Sequence, residues 1–133
     1  MSGIFLDSNV ILYLLSADAR KADTAEALLS QNPSISVQVL NEITSVCHRK
    51  LKMPWPETHA LLAAVKASCS VMPLTVDTHA KAMQIAQQHH LSFYDAHIVA
   101  TAQACDAHKL MSEDMHHGMN LQGLRVQNPF SLQ

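Results

Sequence analysis

Short apolar segments alternate with longer stretches of helical periodicity along this chain, and this alternation constrains its fold more than any other feature. Residues 4–6 form a compact apolar run that predicts a buried strand. Ser8 or Asn9 is expected to cap a first helix that runs to about residue 15. Further strands are predicted at residues 34–37, 70–74, 110–111 and 124–126, and helices at residues 21–29, 38–50, 56–68, 75–89 and 94–104. This order predicts an α/β fold, in which helices cover both faces of a central parallel sheet.

The composition excludes several classes of protein. With 48% hydrophobic and 15% charged residues, the chain is too apolar for a disordered segment and too poor in charge for a coiled coil. Its longest unbroken apolar run covers residues 10–15, whereas a membrane helix needs roughly 18 such residues. The three cysteines lie far apart, which favours reduced thiols. We therefore expect one cytoplasmic domain over residues 1–133, with no membrane association.

Acidic residues follow the predicted strands at four places. Asp7 comes directly after the first strand, and Asp114 lies just past the strand at residues 110–111. Glu42 lies in the first or second turn of a helix that follows a strand, and Asp95 opens another helix. Strand carboxyl ends and helix N-termini meet at the same edge of a parallel sheet, where ligands bind. We therefore expect the four carboxylates to converge on one crevice.

Converging carboxylates repel each other, and a hard divalent cation relieves that repulsion. Mg²⁺ and Mn²⁺ prefer oxygen ligands, and such sites are typical of phosphodiester cleavage by metal-activated water. Each acid also has an ordinary structural interpretation. Asp7 and Asp114 can be turn or cap residues, Asp95 can complement a helix dipole, and Glu42 can lie on a solvated helix face. Spacing alone therefore leaves the metal site as one of two interpretations.

The basic residues are also unevenly distributed. The formal net charge is −2, from nine basic and eleven acidic residues. When the four acids are set aside, seven acidic and nine basic residues remain, so the rest of the chain carries a net charge of +2. Such a balance is expected for an acidic metal centre within a mildly basic protein, but it can also arise by chance. Arg49, Lys50 and Lys52 form the densest basic cluster. They can contact RNA phosphates or simply complement a helix C-terminus. Trp55, between two prolines, can stack a base, pack a hinge or make a dimer contact.

Four motifs and a tail occur along the chain in a recognisable order. They are Phe-Leu-Asp-Ser-Asn-Val at residues 5–10, Gln-Val-Leu-Asn-Glu-Ile at 38–43, the segment Leu-Ser-Phe-Tyr-Asp-Ala-His-Ile-Val-Ala-Thr-Ala at 91–102, Met-Ser-Glu-Asp-Met-His-His-Gly at 111–118 and Val-Gln-Asn-Pro-Phe at 126–130. In this respect the chain resembles the PIN domain, and specifically the VapC-like toxin ribonucleases of toxin–antitoxin systems. The third and fourth motifs, together with the tail, make the resemblance specific.

The resemblance implies a Mg²⁺- or Mn²⁺-dependent endoribonuclease with a PIN-like three-layer α/β fold. Asp7, Glu42, Asp95 and Asp114 match the catalytic acids of the family. Among them, Asp7, Asp95 and Asp114 are the expected metal ligands. The resemblance also implies an RNA substrate, a homodimer and an inhibitory antitoxin partner.

The resemblance further assigns supporting roles around these acids. Asn9 and Ser112 are expected to hydrogen-bond the carboxylates or a metal-bound water. The family varies most at the fourth acid, so Glu113 can share the role of Asp114 or face away from the site. The motif alignment favours Asp114.

Two further functions are compatible with the same motifs. One is a PIN-type RNA-processing nuclease without an antitoxin, and the other is a catalytically silent module that binds RNA or a protein. The four retained acids disfavour the silent module. A haloacid-dehalogenase-like phosphatase also begins with Asp after a strand, but it needs a second Asp two residues later, where this chain has Asn9.

Overall fold

The structure, a computed structural model, describes residues 3–131, and its elements alternate along the chain as predicted. The strands are β1 (Ile4–Leu6), β2 (Ser34–Ser36), β3 (Ser70–Met72), β4 (Lys109–Met111), β5 (Asn120–Leu121) and β6 (Leu124–Gln127). The helices are α1 (Ser8–Leu12), which continues into a 3-10 turn (Tyr13–Leu15), α2 (Ala19–Leu29), α3 (Val37–Arg49), α4 (Trp55–Ser68), α5 (Val76–His89) and α6 (Phe93–Ala104). The predicted α/β class is confirmed.

The sheet has the strand order β3-β2-β1-β4-β6-β5 and is parallel at every pairing except the last. The predicted parallel sheet is confirmed for the central strands, and one edge carries an additional strand, β5, that forms an antiparallel hairpin with β6. Its two turn residues, Gln122 and Gly123, both have positive φ, at 54° and 92°. Two-residue hairpin turns need this conformation because it matches the twist of the strands. The sequence pattern missed β5 because a two-residue strand has no periodicity.

The core lies on both sides of β1 and β4. Phe5, Leu6 and Leu110 are fully buried, and α6 is buried at every residue from 96 to 102. A helix that is apolar on all sides must lie inside the protein. His97, within this buried run, exchanges a 2.9 Å hydrogen bond between its Nε2 and Thr78 Oγ1. No helix within residues 3–131 has the length and apolar character needed to cross a membrane.

Side chains cap the N-termini of three helices that follow directly after a strand or a turn. The cap of α1 is Asp7, whose side chain accepts a hydrogen bond from the Ser8 backbone N–H, so the prediction of Ser8 or Asn9 as the cap is wrong. The helix starts one residue earlier than the pattern indicated because β1 leads into α1 without a loop. Ser36 caps α3, and Ser92 caps α6. These starts bring the first turns of α1 and α3 to the carboxyl edge of the sheet.

Candidate active site

Asp7 is the most constrained carboxylate at this edge. It is only 2% exposed and lies between β1 and α1. Its Oδ1 accepts a 2.7 Å hydrogen bond from the Ser8 backbone N–H, and its Oδ2 accepts one of 2.7 Å from Ser112 Oγ. Asn9 Nδ2 donates to the same Oδ2 at 3.3 Å. Both oxygens are thus held in place by donors from α1 and from the residue that follows β4.

The second carboxylate, Glu42, is linked to Asp7 by the hydrogen bonds of Ser8. Ser8 Oγ donates a 2.7 Å hydrogen bond to Glu42 Oε1, and Gln38 Nε2 donates one of 3.0 Å to Oε2. Gln38 and Glu42 are four residues apart on α3, so they share one helix face. Glu42 is half-buried, and its carboxylate is oriented by a donor on each side.

Asp95 and Asp114 complete the acidic edge. Asp95 lies in the first turn of α6, where its backbone N–H donates to Ser92 Oγ at 3.2 Å, and its side chain is half-buried. Asp114 follows β4 and is exposed, and its backbone N–H donates to Ser112 Oγ at 3.2 Å. Ser112 therefore connects the segment that carries Asp114 to the carboxylate of Asp7.

Burial and neighbouring negative charge both raise the pKa values of carboxylates at this edge. Burial raises the pKa of Asp7 from 3.8 to about 7, although the hydrogen bonds from Ser112 and Ser8 lower it, and the charges of Glu42 and Asp95 raise it further. Burial also raises the pKa of Asp95, with smaller upward contributions from the charges of Glu42 and Asp114. Asp7, Glu42 and Asp95 thus interact electrostatically, and Asp114 interacts with Asp95. A bound cation would relieve this repulsion.

The donor set suits a hard divalent cation in chemistry, because every candidate ligand is a carboxylate oxygen. Within residues 3–131, however, no three His, Cys, Asp or Glu side chains lie close enough to hold a metal ion as one group. Mg²⁺ usually keeps several waters and binds proteins through one or two carboxylates together with substrate phosphates. The arrangement therefore fits a cation that is held by few protein ligands and many waters.

Glu113 has a different environment from its neighbour Asp114. Its carboxylate accepts hydrogen bonds from Tyr13 Oη at 2.8 and 3.0 Å, and its backbone N–H donates to Asn9 Oδ1 at 3.0 Å. The hydrogen bond to Glu113 raises the pKa of Tyr13, so the phenol remains a donor. Of the two adjacent acids, Asp114 acts electrostatically on Asp95, whereas Glu113 is engaged by the 3-10 turn.

Lys21 and Phe130 complete the environment of Tyr13. Lys21 Nζ lies 3.5 Å from Tyr13 Oη and 4.8 Å from the centroid of its ring. The rings of Tyr13 and Phe130 pack edge to face at 4.5 Å. This cluster ties the C-terminal tail and α2 to the segment after β4, and we name Tyr13, Lys21, Glu113 and Phe130 the tyrosine cluster.

Replacing Tyr13 with Phe should destabilise the protein by about 1 kcal/mol, because a partly buried carboxylate would lose its donor. Urea unfolding measures this difference. Tyr94→Phe is the matched control, since Tyr94 is 62% exposed and its hydroxyl has no hydrogen bond within the part of the chain described. Equal stability of the two variants would contradict the prediction.

The predicted basic cluster lies apart from the acids. Arg49, Lys50 and Lys52 line a surface cavity of about 600 Å³ at the end of α3, together with His48. No carboxylate of residues 3–131 forms an ion pair with these three side chains. They are therefore free to meet an anion.

Sequence reasoning missed three residues of the acidic edge. Ser8 bridges two carboxylates, Gln38 orients Glu42, and Tyr13 engages Glu113. For Gln38, a signal was available: its four-residue spacing from Glu42 on a predicted helix. The contacts of Ser8 and Tyr13 span 34 and 100 residues of sequence, so no local pattern reports them.

Several solved structures share this architecture. A toxin–antitoxin complex from Klebsiella pneumoniae has a TM-score of 0.74 at 20% identity, covering 96% of this chain and 98% of that one. VapBC2 from Rickettsia felis, bound to a DNA fragment from its promoter, has a TM-score of 0.67 at 18% identity, covering 94% and 97%. VapC20 of Mycobacterium tuberculosis, a sarcin-ricin loop cleaving toxin, has a TM-score of 0.63 at 22% identity, covering 84% and 89%. At these identities, the likeness establishes the fold.

The sequence comparisons identify the family. No curated protein sequence matches the chain. A family model described as PIN domain matches residues 4–117, a span that holds the strands β1 to β4 and all four acids. With most of its length matched, the chain belongs to the PIN domain family, as its motifs predict.

Proposed function

We propose that the protein is a metal-dependent endoribonuclease, a hydrolase of RNA phosphodiester bonds that acts in the cytoplasm as a single domain. The observation that carries this proposal is the position of the carboxylates at the ligand-binding edge of a PIN fold, where buried Asp7 is linked through Ser8 to Glu42. Burial is the main cause of the raised pKa of Asp7, and the charges of Glu42 and Asp95 raise it further. Keeping carboxylates in such positions costs stability, and a site of this kind is retained for function. Structural requirements alone would favour neutral side chains here.

Asp7, Asp95 and Asp114 are the candidate ligands for Mg²⁺ or Mn²⁺, of which one or two would bind the cation directly and the others through its waters, with Glu42 beside them. When bound, the cation supplies positive charge to the phosphate and lowers the pKa of a coordinated water. Glu42 is oriented by Ser8 and Gln38, and its carboxylate can accept a proton from the attacking water. The general base would thus be held by donors on both of its oxygens.

Asn9 and Ser112 act as positioning residues in this proposal. Ser112 donates to Asp7 and accepts from the backbone N–H of Asp114, so one hydroxyl sets the spacing of two acids. Asn9 donates to Asp7 and accepts from the backbone of Glu113. The two residues hold Asp7, which follows β1, in a fixed position relative to Asp114, which follows β4.

Incubation of the purified protein with mixed cellular RNA tests this function. We expect cleavage in Mg²⁺ or Mn²⁺, no cleavage with a chelator, and no cleavage of DNA of the same sequence. Cleavage that survives chelation would contradict the metal dependence. Absence of cleavage in every condition would favour the silent RNA- or protein-binding module.

We further propose that this nuclease is the toxin of a toxin–antitoxin pair. The similar structures include a toxin–antitoxin complex and a toxin that cleaves the sarcin-ricin loop. A homodimer would suit α5, where Val76 and Met83 are 86% and 57% exposed on one face, two turns apart. An antitoxin can restrain the enzyme by placing an Arg among the carboxylates, since guanidinium pairs with carboxylates in bidentate fashion.

The toxin assignment predicts that expression of this protein alone slows growth and that its genetic neighbour restores growth by forming a tight complex. Rescue should weaken when an Arg or Lys in the C-terminal half of the neighbouring gene's protein is changed to Ala. The substitution removes the positively charged side chain that competes with the metal ion for the carboxylates. Growth curves and co-purification measure both effects. Harmless expression of the active enzyme, with no complex recovered, would leave the RNA-processing nuclease.

A further inference from the structure

We propose a second RNA-contacting site on α3 and α4, in which Trp55 stacks a base of single-stranded RNA and Arg49, Lys50 and Lys52 bind its phosphates. The site lies outside the acidic edge and determines which RNA strand reaches the carboxylates. The identification of this strand as substrate rests on the proposed nuclease function. The binding itself does not depend on cleavage.

Trp55 has the geometry of a stacking platform. It begins α4 and is 50% exposed, an unusual state for the largest apolar side chain. Its indole stacks on the His48 ring, with centroids 4.6 Å apart and an interplanar angle of 21°. The His59 ring lies 6.3 Å away at 45°. Pro54 and Pro56 restrict the backbone on either side, so little conformational freedom is lost when a base stacks on the indole.

Two cavities adjoin this platform. The basic cavity of about 600 Å³ is lined by His48 and the three cationic residues. A second cavity, of about 220 Å³, lies between α3 and α4, where Leu40, Leu62 and Trp55 line it together with Lys66. Among the residues that the structure describes, no Asp or Glu lines either cavity. A base and its phosphates therefore find an apolar surface and uncompensated positive charge side by side.

The basic cavity lies on the same face of α3 as the catalytic acid Glu42. Ser45, Val46 and Arg49 line the cavity, and they follow Glu42 by three, four and seven residues. Residues with this spacing share one face of a helix. Seven residues rise about 10 Å, which corresponds to about three nucleotides of stacked strand. A strand that reaches the acids can therefore continue along α3 into the basic cavity.

The charges favour RNA over a protein segment as the occupant. Complementing the α3 C-terminus explains Arg49, which is in its last turn, but not Lys52, which lies beyond its end with φ at 52°. A docked apolar helix would use the Leu40–Leu62 cavity and leave the basic one unfilled. Stacking on Trp55 needs an unpaired base, so the strand must be single-stranded.

Trp55 is the only tryptophan of the chain, so its intrinsic fluorescence reports this site directly. The experiment titrates the full-length protein, with chelator present to prevent cleavage, with a labelled single-stranded oligoribonucleotide. We expect quenching that saturates together with the anisotropy of the label. An abasic oligomer of the same length should bind through its phosphates without quenching. Binding without any quenching by the base-containing oligomer would overturn the proposal.

Substitutions separate the two halves of the site. Trp55→Leu should weaken binding by about tenfold, and Trp55→Phe should restore part of the loss, because a phenyl ring still stacks. Replacing Arg49, Lys50 and Lys52 together with Gln should reduce the salt slope of log K by about 2. The matched control replaces the exposed Arg20, Lys81 and Arg125 with Gln, which removes the same charge elsewhere.

Each remaining outcome decides the proposal. Equal affinity of wild type and Trp55→Leu would overturn the stacking role. Equal salt slopes for the two triple variants would overturn the phosphate role. Quenching and a reduced slope in a protein that cleaves no RNA would support this site while refuting the nuclease.

Discussion

Asp7→Asn and Asp95→Asn should each reduce RNA cleavage by on the order of 10³-fold while the protein remains folded. The amide keeps the shape of the carboxylate but removes the charge that holds the cation. Asp7 is also the acid on which the hydrogen bonds of Ser112 and Asn9 converge, so its replacement affects both α1 and the segment after β4. Initial cleavage rates at saturating Mn²⁺ measure the loss.

The matched control for these variants is Asp77→Asn. Asp77 is exposed in the first turn of α5 and is not among the charges that raise the pKa of Asp7 or Asp95, so it should be replaceable without loss of activity. Melting curves establish whether each variant is folded. Full activity of both Asp7→Asn and Asp95→Asn would refute the assignment of the catalytic acids.

The second large effect is the pH dependence that Asp7 gives to the free energy of unfolding of the metal-free protein. Asp7 has an ordinary pKa of 3.8 when the chain is unfolded and a pKa of about 7 in the folded protein. The folded state therefore binds the proton more tightly, so the free energy of unfolding decreases as pH rises between these values and levels off above pH 7. The shift of about three pKa units corresponds to about 4 kcal/mol. Protonated Asp7 stabilises the metal-free protein, and ionised Asp7 destabilises it.

Urea unfolding of wild type and Asp7→Asn at pH 4 to 8, with chelator present, isolates this contribution. Other groups titrate in the same window, so the informative quantity is the difference between the two proteins. We expect the variant to gain stability relative to wild type as pH rises, by up to about 4 kcal/mol at pH 8. Part of that gain is offset because an amide nitrogen cannot accept the hydrogen bond from Ser112. A difference that stays constant with pH would show that Asp7 ionises normally.

Much of the fold follows from local sequence. The periodicity of residues 38–50 and 75–89 predicts α3 and α5 to within one residue at each end, because an amphipathic helix needs only its own repeating apolar face. The position of an acid directly after a strand also predicts which edge of the sheet it occupies, since parallel strands all end at that edge. The family motifs are local in the same sense, and they identified the PIN domain before any tertiary contact was known.

The role of the basic residues at the end of α3 could not be predicted from the local sequence. Their sequence allowed either a helix-terminal role or an RNA-binding one. Only the packing of α4 against α3 stacks Trp55 on His48 and opens a cavity beside the cluster. The Trp55 ring lies beside the basic residues only because α3 and α4 pack against each other. The sequence of either helix alone does not predict this contact.

The sequence by itself determined the helices, the parallel strands and the family, and it predicted the edge of the sheet at which the acids lie. Tertiary structure alone decided that Asp114 acts on Asp95 while Glu113 is engaged by Tyr13, and that Asp7 is buried enough to hold its proton near neutral pH. The physical reason is the distance along the chain: the hydrogen bonds from Ser112 to Asp7 and from Tyr13 to Glu113 join residues 105 and 100 positions apart. Burial and charge at this edge are created only when β1 and β4 pair, so a pattern read within one segment cannot contain them.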